Sequence, residues 1–151
     1  MNFTRTATTD GFGRSVQITN GRFVATMMTG LLPVADMVSR IQLLAPFEQA
    51  LEQTHKPKDR SLYSAGAMFR QRVFAHICGF EDLADHDVIT EDEGFLSALG
   101  VNDAAGSSTL CRFENSITRH DLDRLNCCFL DALLRANRKH RIFPRAGARK
   151  T

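Results

Sequence analysis

The chain has 151 residues, of which 43% are hydrophobic and 24% are charged. That length suits a single domain with a substantial core. The longest apolar runs are interrupted within a few residues by Arg, Asp or Pro, so none reaches the length of a membrane span. The first residues lack the apolar stretch of a secretory signal. We therefore expect a cytoplasmic protein with no membrane partner.

The small net charge of +2 hides an uneven distribution. Seven basic residues and no acidic one occur from Arg135 to Thr151, so the body that precedes them carries more acidic than basic residues. Such asymmetry is typical of a protein with a polyanionic partner, or of a severed linker. The four cysteines contain no Cys-x-x-Cys pair, and their spacing to the histidines does not resemble a zinc site.

The N-terminal 29 residues are predicted to form a loose segment followed by a small β-hairpin. The first dozen are rich in Thr, Gly and Asn. Ser15–Thr19 then alternates polar and apolar residues, and Arg22–Met27 follows after Asn20-Gly21. Asn-Gly between two such runs favours a hairpin turn, because both turn positions need a positive φ.

From Gly30 onward the apolar residues recur at helical spacing. The pattern predicts seven helical stretches: one beginning near Gly30, then Pro46–Gln53, Ser61–Gly79 including its cap and stop, Glu81–Asp85, Glu91–Leu99, Ser108–Ser116 and Thr118–Arg138. The third should bury the stripe Leu62, Ala65, Phe69, Val73, His76 and Ile77, with Arg70 and Gln71 facing outward. The last should bury Leu122, Leu125, Phe129, Leu133 and Ala136.

We therefore expect a mainly α fold, in which the hairpin precedes a bundle of short helices and one long C-terminal helix. Residues 30–138 form the helical module in this division, and residues 139–151 form a basic tail predicted to be disordered.

A cluster of acidic residues and a histidine lies within Gly79–Asp87. If this segment is helical, Asp82 lies one turn from Asp85 and His86, close to Asp87, and the group could hold a metal ion. The alternative is that these acids cap helices and complement helix N-terminal dipoles. Because no glycine-rich ligand loop or Cys/His pair accompanies the cluster, we favour the capping role and expect no metal site.

The segment Ser108–Asn115 has the composition of a DNA-contacting helix. Its inner side holds Leu110, Phe113 and Ile117, which leaves Thr109, Arg112, Asn115 and Arg119 on the outer side. Arg and Asn can each form two hydrogen bonds to a base edge, and a helix N-terminus can hold a phosphate. The alternative is an ordinary solvated surface.

The basic residues after Arg135 are candidate phosphate contacts. Arg138, Lys139 and Arg141 could each add a salt-dependent contribution that is independent of DNA sequence. Cations near a helix C-terminus also complement its dipole, which explains the first few of these charges without DNA.

Three motifs together resemble one known family. Arg70-Gln71-Arg72-Val73, then Gly79–Asp87, then Ser108–Asn115 match in order and spacing the N-terminal region of bacterial insertion-sequence DDE transposases of group 1. Gly30-Leu31-Leu32 resembles the family's entry into its first helix. The likeness extends over roughly Gly30 to Ala136, and the combination is more specific than any single motif.

The chain departs from the family pattern at three places. Ile89–Glu93 lacks the Arg and Pro that usually follow the Asp-His-Asp motif, and Cys111 replaces the usual Ser. No acidic residue follows Asp131, where the resemblance implies the strand that carries the first catalytic Asp. The family's reaction requires three carboxylates that hold two divalent ions such as Mg²⁺. We therefore expect no catalytic residue and no cofactor in this chain.

The resemblance implies a DNA-binding N-terminal module of a DDE transposase, truncated before its catalytic core, which recognises the terminal inverted repeats of the element. Its further partners would be a second copy of itself or a full-length transposase. One alternative is a regulatory inhibitor or assembly partner of the full-length enzyme. A second alternative is a small metal-dependent hydrolase that uses Asp82, Asp85, His86 and Asp87.

Overall fold

The computed structural model describes the backbone of residues 4–7, 16–19, 28, 30–55 and 62–140, and the side chains of residues 28, 30–55 and 62–135. Near the N-terminus, strands β1 (Thr4–Ala7) and β2 (Val16–Thr19) pair antiparallel, with Thr4 opposite Thr19 and Ala7 opposite Val16. The partner of β2 is thus a stretch that we had assigned to a loose terminus. The predicted turn at Asn20-Gly21 and the predicted strand Arg22–Met27 lie outside the described residues.

The rest of the described chain is helical, which confirms the mainly α prediction and the long C-terminal helix. The seven helices are α1 (Leu31–Arg40), α2 (Ala45–Thr54), α3 (Ala65–Ile77), α4 (His86–Ile89), α5 (Glu93–Leu99), α6 (Ser107–Ser116) and α7 (Arg119–His140).

Several helix boundaries follow from local signals in the sequence. Gly79 and Gly100 end α3 and α5 with positive φ angles of 87° and 74°, which glycine adopts without a steric penalty. Asp92 caps α5 by accepting from the backbone N–H of Phe95. At α7 the Asp121 carboxylate accepts from the Thr118 backbone N–H at 2.8 Å, while the Asp121 N–H donates to the Thr118 hydroxyl at 3.3 Å. This is the predicted capping box.

Two predicted helix starts are wrong. The N-cap of α3 is Ser64 rather than Ser61, and its hydroxyl accepts from the Ala67 backbone N–H. Glu81–Asp85 forms bends and turns instead of a helix, and the short α4 begins only at His86. The Arg72 guanidinium donates to the Glu81 carbonyl oxygen, the group that would accept the first bond of a helix at this point.

Helix α3 lies between two hydrophobic clusters. On one side Phe74 and Ala75 pack with buried residues of α1, α4 and α5, including Val38, Ile89 and Phe95. On the other side Ala65 packs with residues of α2 and α6, and Leu125 of α7 is partly buried against the same cluster.

The buried face of α3 differs from the predicted stripe. Leu62 lies before the helix and is 87% exposed, while His76 and Ile77 are also exposed. Gln71, which we placed on the outer face, is only 3% exposed. Because α3 has packing partners on two sides, a single apolar stripe does not identify its buried face. A polar residue fills the position where α3 meets the chain before α6.

Helix α7 packs against α2 through the first half of its length. His55 Nε2, just after α2, lies 3.0 Å from the Asp121 carboxylate, and the Cys128 thiol contacts the Pro46 carbonyl oxygen at 3.6 Å near the start of α2. Of the predicted buried stripe, Leu125 and Leu133 are half-buried, whereas Leu122 and Phe129 are exposed. The α2-facing line therefore runs through Asp121, Leu125 and Cys128 instead.

Candidate nucleic-acid interface

Helix α6 presents one apolar and one polar face. Leu110 and Phe113 are buried against the core, as the spacing predicts. Arg112 and Asn115 are exposed on the outer side, and Thr109 is half-buried beside them. Arg119 is also exposed, but it is the first residue of α7 and not part of the same helix. The structure thus groups three of the predicted DNA-binding residues on α6 and places the fourth beyond the Ile117-Thr118 connection.

The hydrogen bonds of Arg112 and Asn115 described here stay within α6. Arg112 Nε donates to the Ser108 carbonyl oxygen at 3.2 Å, and its Nη2 lies 3.4 Å from the Thr109 hydroxyl. Asn115 Nδ2 lies 3.4 Å from the Cys111 thiol. These bonds are long and exposed, so a hydrogen-bond acceptor from outside could replace them at little cost.

The N-terminus of α6 is occupied by a carboxylate of the protein itself. Asp87 Oδ1 accepts from the Ser107 backbone N–H at 2.8 Å, and Asp87 Oδ2 accepts from the Ser107 hydroxyl at 2.7 Å. These bonds lower the pKa of Asp87, and it stays ionised as a cap of the helix. Such an arrangement leaves no place for the phosphate that the sequence analysis put at this terminus.

Arg72 ties the middle of α6 to the segment after α3. Its Nε donates to Glu114 at 2.6 Å, its Nη2 to the Glu81 carbonyl oxygen at 3.1 Å, and its Nη1 lies 3.0 Å from His86 Nε2. A guanidinium group has a rigid fork of donors that suits three such directions at once. The orientation of α6 is therefore set by Asp87 at its first turn and by Arg72 farther along.

His86 lies fully buried between the Gln71 amide group and the Arg72 guanidinium. The Gln71 side-chain nitrogen lies 3.0 Å from His86 Nδ1, opposite the Arg72 contact at Nε2. Because arginine only donates, the ring accepts at Nε2, which requires an uncharged imidazole. Burial, followed by the positive charge of Arg72, lowers the pKa of His86 from its ordinary 6.5 to about 4.

A family model described as transposase DDE domain group 1 matches residues 9–143. The chain belongs to this transposase family. Neither a comparison with curated proteins nor one with solved structures gave a match.

The three motifs of the transposase family are joined to one another in the structure. Arg72 of the first motif contacts Glu81 and His86 of the second and Glu114 of the third. Asp87 of the second contacts Ser107, immediately before the third. The side chains of Arg72, His86, Asp87 and Glu114 are thus used inside the protein, whereas Arg112 and Asn115 of the third motif are exposed.

The acidic residues that the structure describes in this transposase chain do not form a metal centre. Among the described residues, no group of three or more His, Cys, Asp or Glu side chains is placed to hold an ion. His86 faces the Arg72 guanidinium, which would repel a cation, and Asp87 is bonded to Ser107. Asp82 is exposed and Asp85 half-buried. The geometry of these four residues therefore gives no support to the hydrolase alternative.

The remaining predicted contacts cannot be placed on a surface. Arg138 and Lys139 belong to the last turns of α7, where only the backbone is described, and Arg141 lies outside the described residues. No helix in the described part of this transposase chain is long and apolar enough to cross a membrane.

The sequence did not predict the organising role of Gln71 and Arg72, which it offered only as part of a family motif. The signal that could have identified them was the motif itself, because a glutamine between two arginines in the middle of a core helix cannot turn all three side chains to water. Arg70 likewise forms a two-point ion pair with Glu48 of α2, at 2.7 and 2.6 Å.

Proposed function

We propose that the chain is a DNA-binding module of a group 1 DDE transposase, which recognises the terminal inverted repeats of its element. Family membership makes DNA the natural partner. The observation that carries the proposal is the exposed outer face of α6, where Arg112 and Asn115 project from a helix that is fixed to the core by Asp87 and Arg72.

Within this proposal, the outer face of α6 reads base edges in the major groove. Arg112 would form two hydrogen bonds to a guanine, Asn115 would do the same with an adenine, and Thr109 would contact either a base or a phosphate. Arg119 and the basic residues Arg138, Lys139 and Arg141 would bind phosphates and contribute affinity without sequence preference. Asp87 keeps a phosphate away from the α6 N-terminus, so docking would occur through the side of the helix.

The decisive experiment is fluorescence anisotropy with a duplex that carries the terminal inverted repeat, titrated over a range of salt concentrations. Arg112→Ala should weaken binding to the cognate duplex by about 1–3 kcal/mol, with a much smaller effect on a shuffled duplex. Arg119→Ala should weaken both duplexes equally and reduce the salt slope by about one.

Arg40→Ala is the matched control, because Arg40 is exposed on α1 and pairs only with Asp36 among the described residues. It removes the same charge from a different helix and should leave the difference between the two duplexes unchanged. Equal affinity for cognate and shuffled DNA in the parent chain would overturn sequence recognition, and no binding at low salt would overturn DNA binding altogether.

A second candidate is a regulatory or assembly role toward a full-length transposase. It is favoured by the exposed apolar residues of α7, which offer a surface to another chain. Adding the purified chain to a transposition reaction of the full-length enzyme should lower the yield of product. Yields unaffected by an excess of the chain would contradict this role.

A further inference from the structure

Asp87 brings an exposed carboxylate to the first turn of α6 from a distant part of the chain. Its two oxygens accept from the Ser107 backbone N–H at 2.8 Å and from the Ser107 hydroxyl at 2.7 Å. Gly106, the N-cap residue of α6, has no side chain that could accept such bonds. A Cβ atom at Gly106 would lie 3.2 Å from Asp87 Oδ1, so the carboxylate lies directly against the start of the helix.

The negative charge of Asp87 has no balancing cation in the described part of the chain. Among the described residues it forms no ion pair, and both of its hydrogen bonds come from Ser107. The neighbouring His86 imidazole is uncharged, because it accepts from Arg72. Glu114 differs in this respect, since Arg72 donates to it at 2.6 Å and offsets its charge. Asp87 therefore reverses the positive character that a helix N-terminus normally has.

The acidic and basic side chains of α6 lie on opposite edges of its exposed face. At about 100° for each residue, Glu114 lies about 20° from Ser107 around the helix axis, whereas Arg112 lies about 140° from it. Asn115 lies between them, about 80° from Ser107 in the direction of Arg112. The exposed face therefore has an acidic edge, formed by Glu114 and by Asp87 on Ser107, and a basic edge, formed by Arg112.

We propose that Asp87 is a specificity-determining residue of this face, because its charge excludes the DNA backbone from the acidic edge of α6. A phosphate that approached this edge would meet a carboxylate instead of the N–H groups that usually attract it. The backbone can then approach α6 only from the basic edge, so a stable complex depends on base contacts by Arg112 and Asn115. Repulsion of the wrong complex adds to specificity as much as attraction of the right one. This inference rests on the DNA binding proposed above.

Asp87→Asn tests this role by removing the charge while keeping an oxygen that can accept from Ser107. Fluorescence anisotropy of the whole chain gives the dissociation constants for the cognate and the shuffled duplex over a range of salt concentrations. The variant should bind the shuffled duplex about fivefold more tightly and steepen its salt slope by up to about 0.9, since one more phosphate can reach α6. The cognate duplex should gain less, so the ratio of the two dissociation constants falls. A merely structural defect would not strengthen binding to any DNA.

Two further variants separate the charge of Asp87 from its capping bonds and from the overall charge. Asp87→Glu keeps the charge but alters the cap, and it should retain the ratio of the parent. Glu91→Gln, at an exposed carboxylate between α4 and α5, removes the same charge elsewhere and should change both duplexes equally.

Three results would overturn the role of Asp87 in a parent chain that discriminates between the duplexes. They are an unchanged ratio in Asp87→Asn, a weaker cognate complex with the shuffled one unaffected, and an equal effect of Glu91→Gln. A parent chain that binds neither duplex would instead overturn the proposed DNA binding, and this inference with it.

Discussion

Gln71 holds the backbone of Ala105 with both ends of its amide group. Its Nε2 donates to the Ala105 carbonyl oxygen at 2.7 Å, and its Oε1 accepts from the Ala105 backbone N–H at 2.9 Å. Both residues are buried. The side chain thus replaces a strand partner for the segment that leads into α6, and it satisfies two backbone groups that have no water to bond.

Gln71→Ala should lower the free energy of unfolding by about 3 kcal/mol. The change leaves the Ala105 N–H and carbonyl buried without their partner, at roughly 1–3 kcal/mol for each unsatisfied group. Chemical denaturation monitored by circular dichroism measures it. Gln49→Ala, at an exposed glutamine of α2, should change stability by less than about 0.5 kcal/mol. Equal effects at the two positions would show that the buried amide bonds contribute nothing.

The sequence predicted the helices better than the faces that they bury. Helices α2, α5 and α6 follow from apolar spacing and local caps, which act within a few residues. Gln71 could not be assigned this way, because its burial depends on Ala105, which is 34 residues away. The position of an apolar stripe indicates a single buried face, whereas α3 packs against other elements on two faces.

In the candidate interface, too, local spacing was predictive and contacts between distant residues were not. The outer face of α6 was predicted from the spacing of Leu110 and Phe113, both of which are buried. The sequence favoured a capping role for the acidic residues of Gly79–Asp87, but it could not show which helix Asp87 caps, because Asp87 lies 20 residues before Ser107.

Arg72 should contribute more to the free energy of unfolding than its ion pair with Glu114 provides. Arg72→Ala removes three contacts and should lower the free energy of unfolding by about 3 kcal/mol, whereas Glu114→Ala should cost about 1 kcal/mol. Arg72→Lys should recover little of the stability that Arg72→Ala loses, since one ammonium group cannot reach three partners in different directions. Thermal and denaturant unfolding of the parent, Arg72→Ala, Glu114→Ala and the variant that carries both changes gives the coupling energy, and the same measurement on Arg72→Lys tests the guanidinium group.

Arg40→Ala again serves as the control, because the Arg40 side chain is exposed and its pair with Asp36 joins adjacent turns of one helix. We expect a loss of less than about 0.5 kcal/mol there. A complete rescue by Arg72→Lys would contradict the role given to the guanidinium fork.

Gly66→Ala tests the close approach of α3 to α2. A Cβ atom at Gly66 would lie 2.9 Å from the Glu48 Cβ and 3.2 Å from its Cα. Alanine favours helix by about 1 kcal/mol over glycine, but pushing two helices apart costs about 1–3 kcal/mol. We therefore expect a net loss of stability. Gly30→Ala meets nothing within 4 Å and should not destabilise the protein; if both variants gain stability, the two helices are less tightly packed than this geometry requires.

The buried His86 should make the protein sensitive to mild acid. Its pKa is about 4 in the folded chain and 6.5 when exposed, so the unfolded state binds more protons between these values. Stability is therefore complete above about pH 6.5 and declines as the pH falls toward 4. At about 1.4 kcal/mol for each pKa unit, the full loss is on the order of 3 kcal/mol.

Two measurements isolate this effect from other titrating groups. Nuclear magnetic resonance of the folded chain should give a His86 ring pKa near 4, which needs no variant. Denaturant unfolding between pH 4 and 7 should then show a steeper pH dependence in the parent than in His86→Asn, even though the variant is less stable at pH 7. His120→Asn, at an exposed histidine, should keep the slope of the parent. A ring pKa near 6.5 would mean that Arg72 and burial do not hold the imidazole neutral.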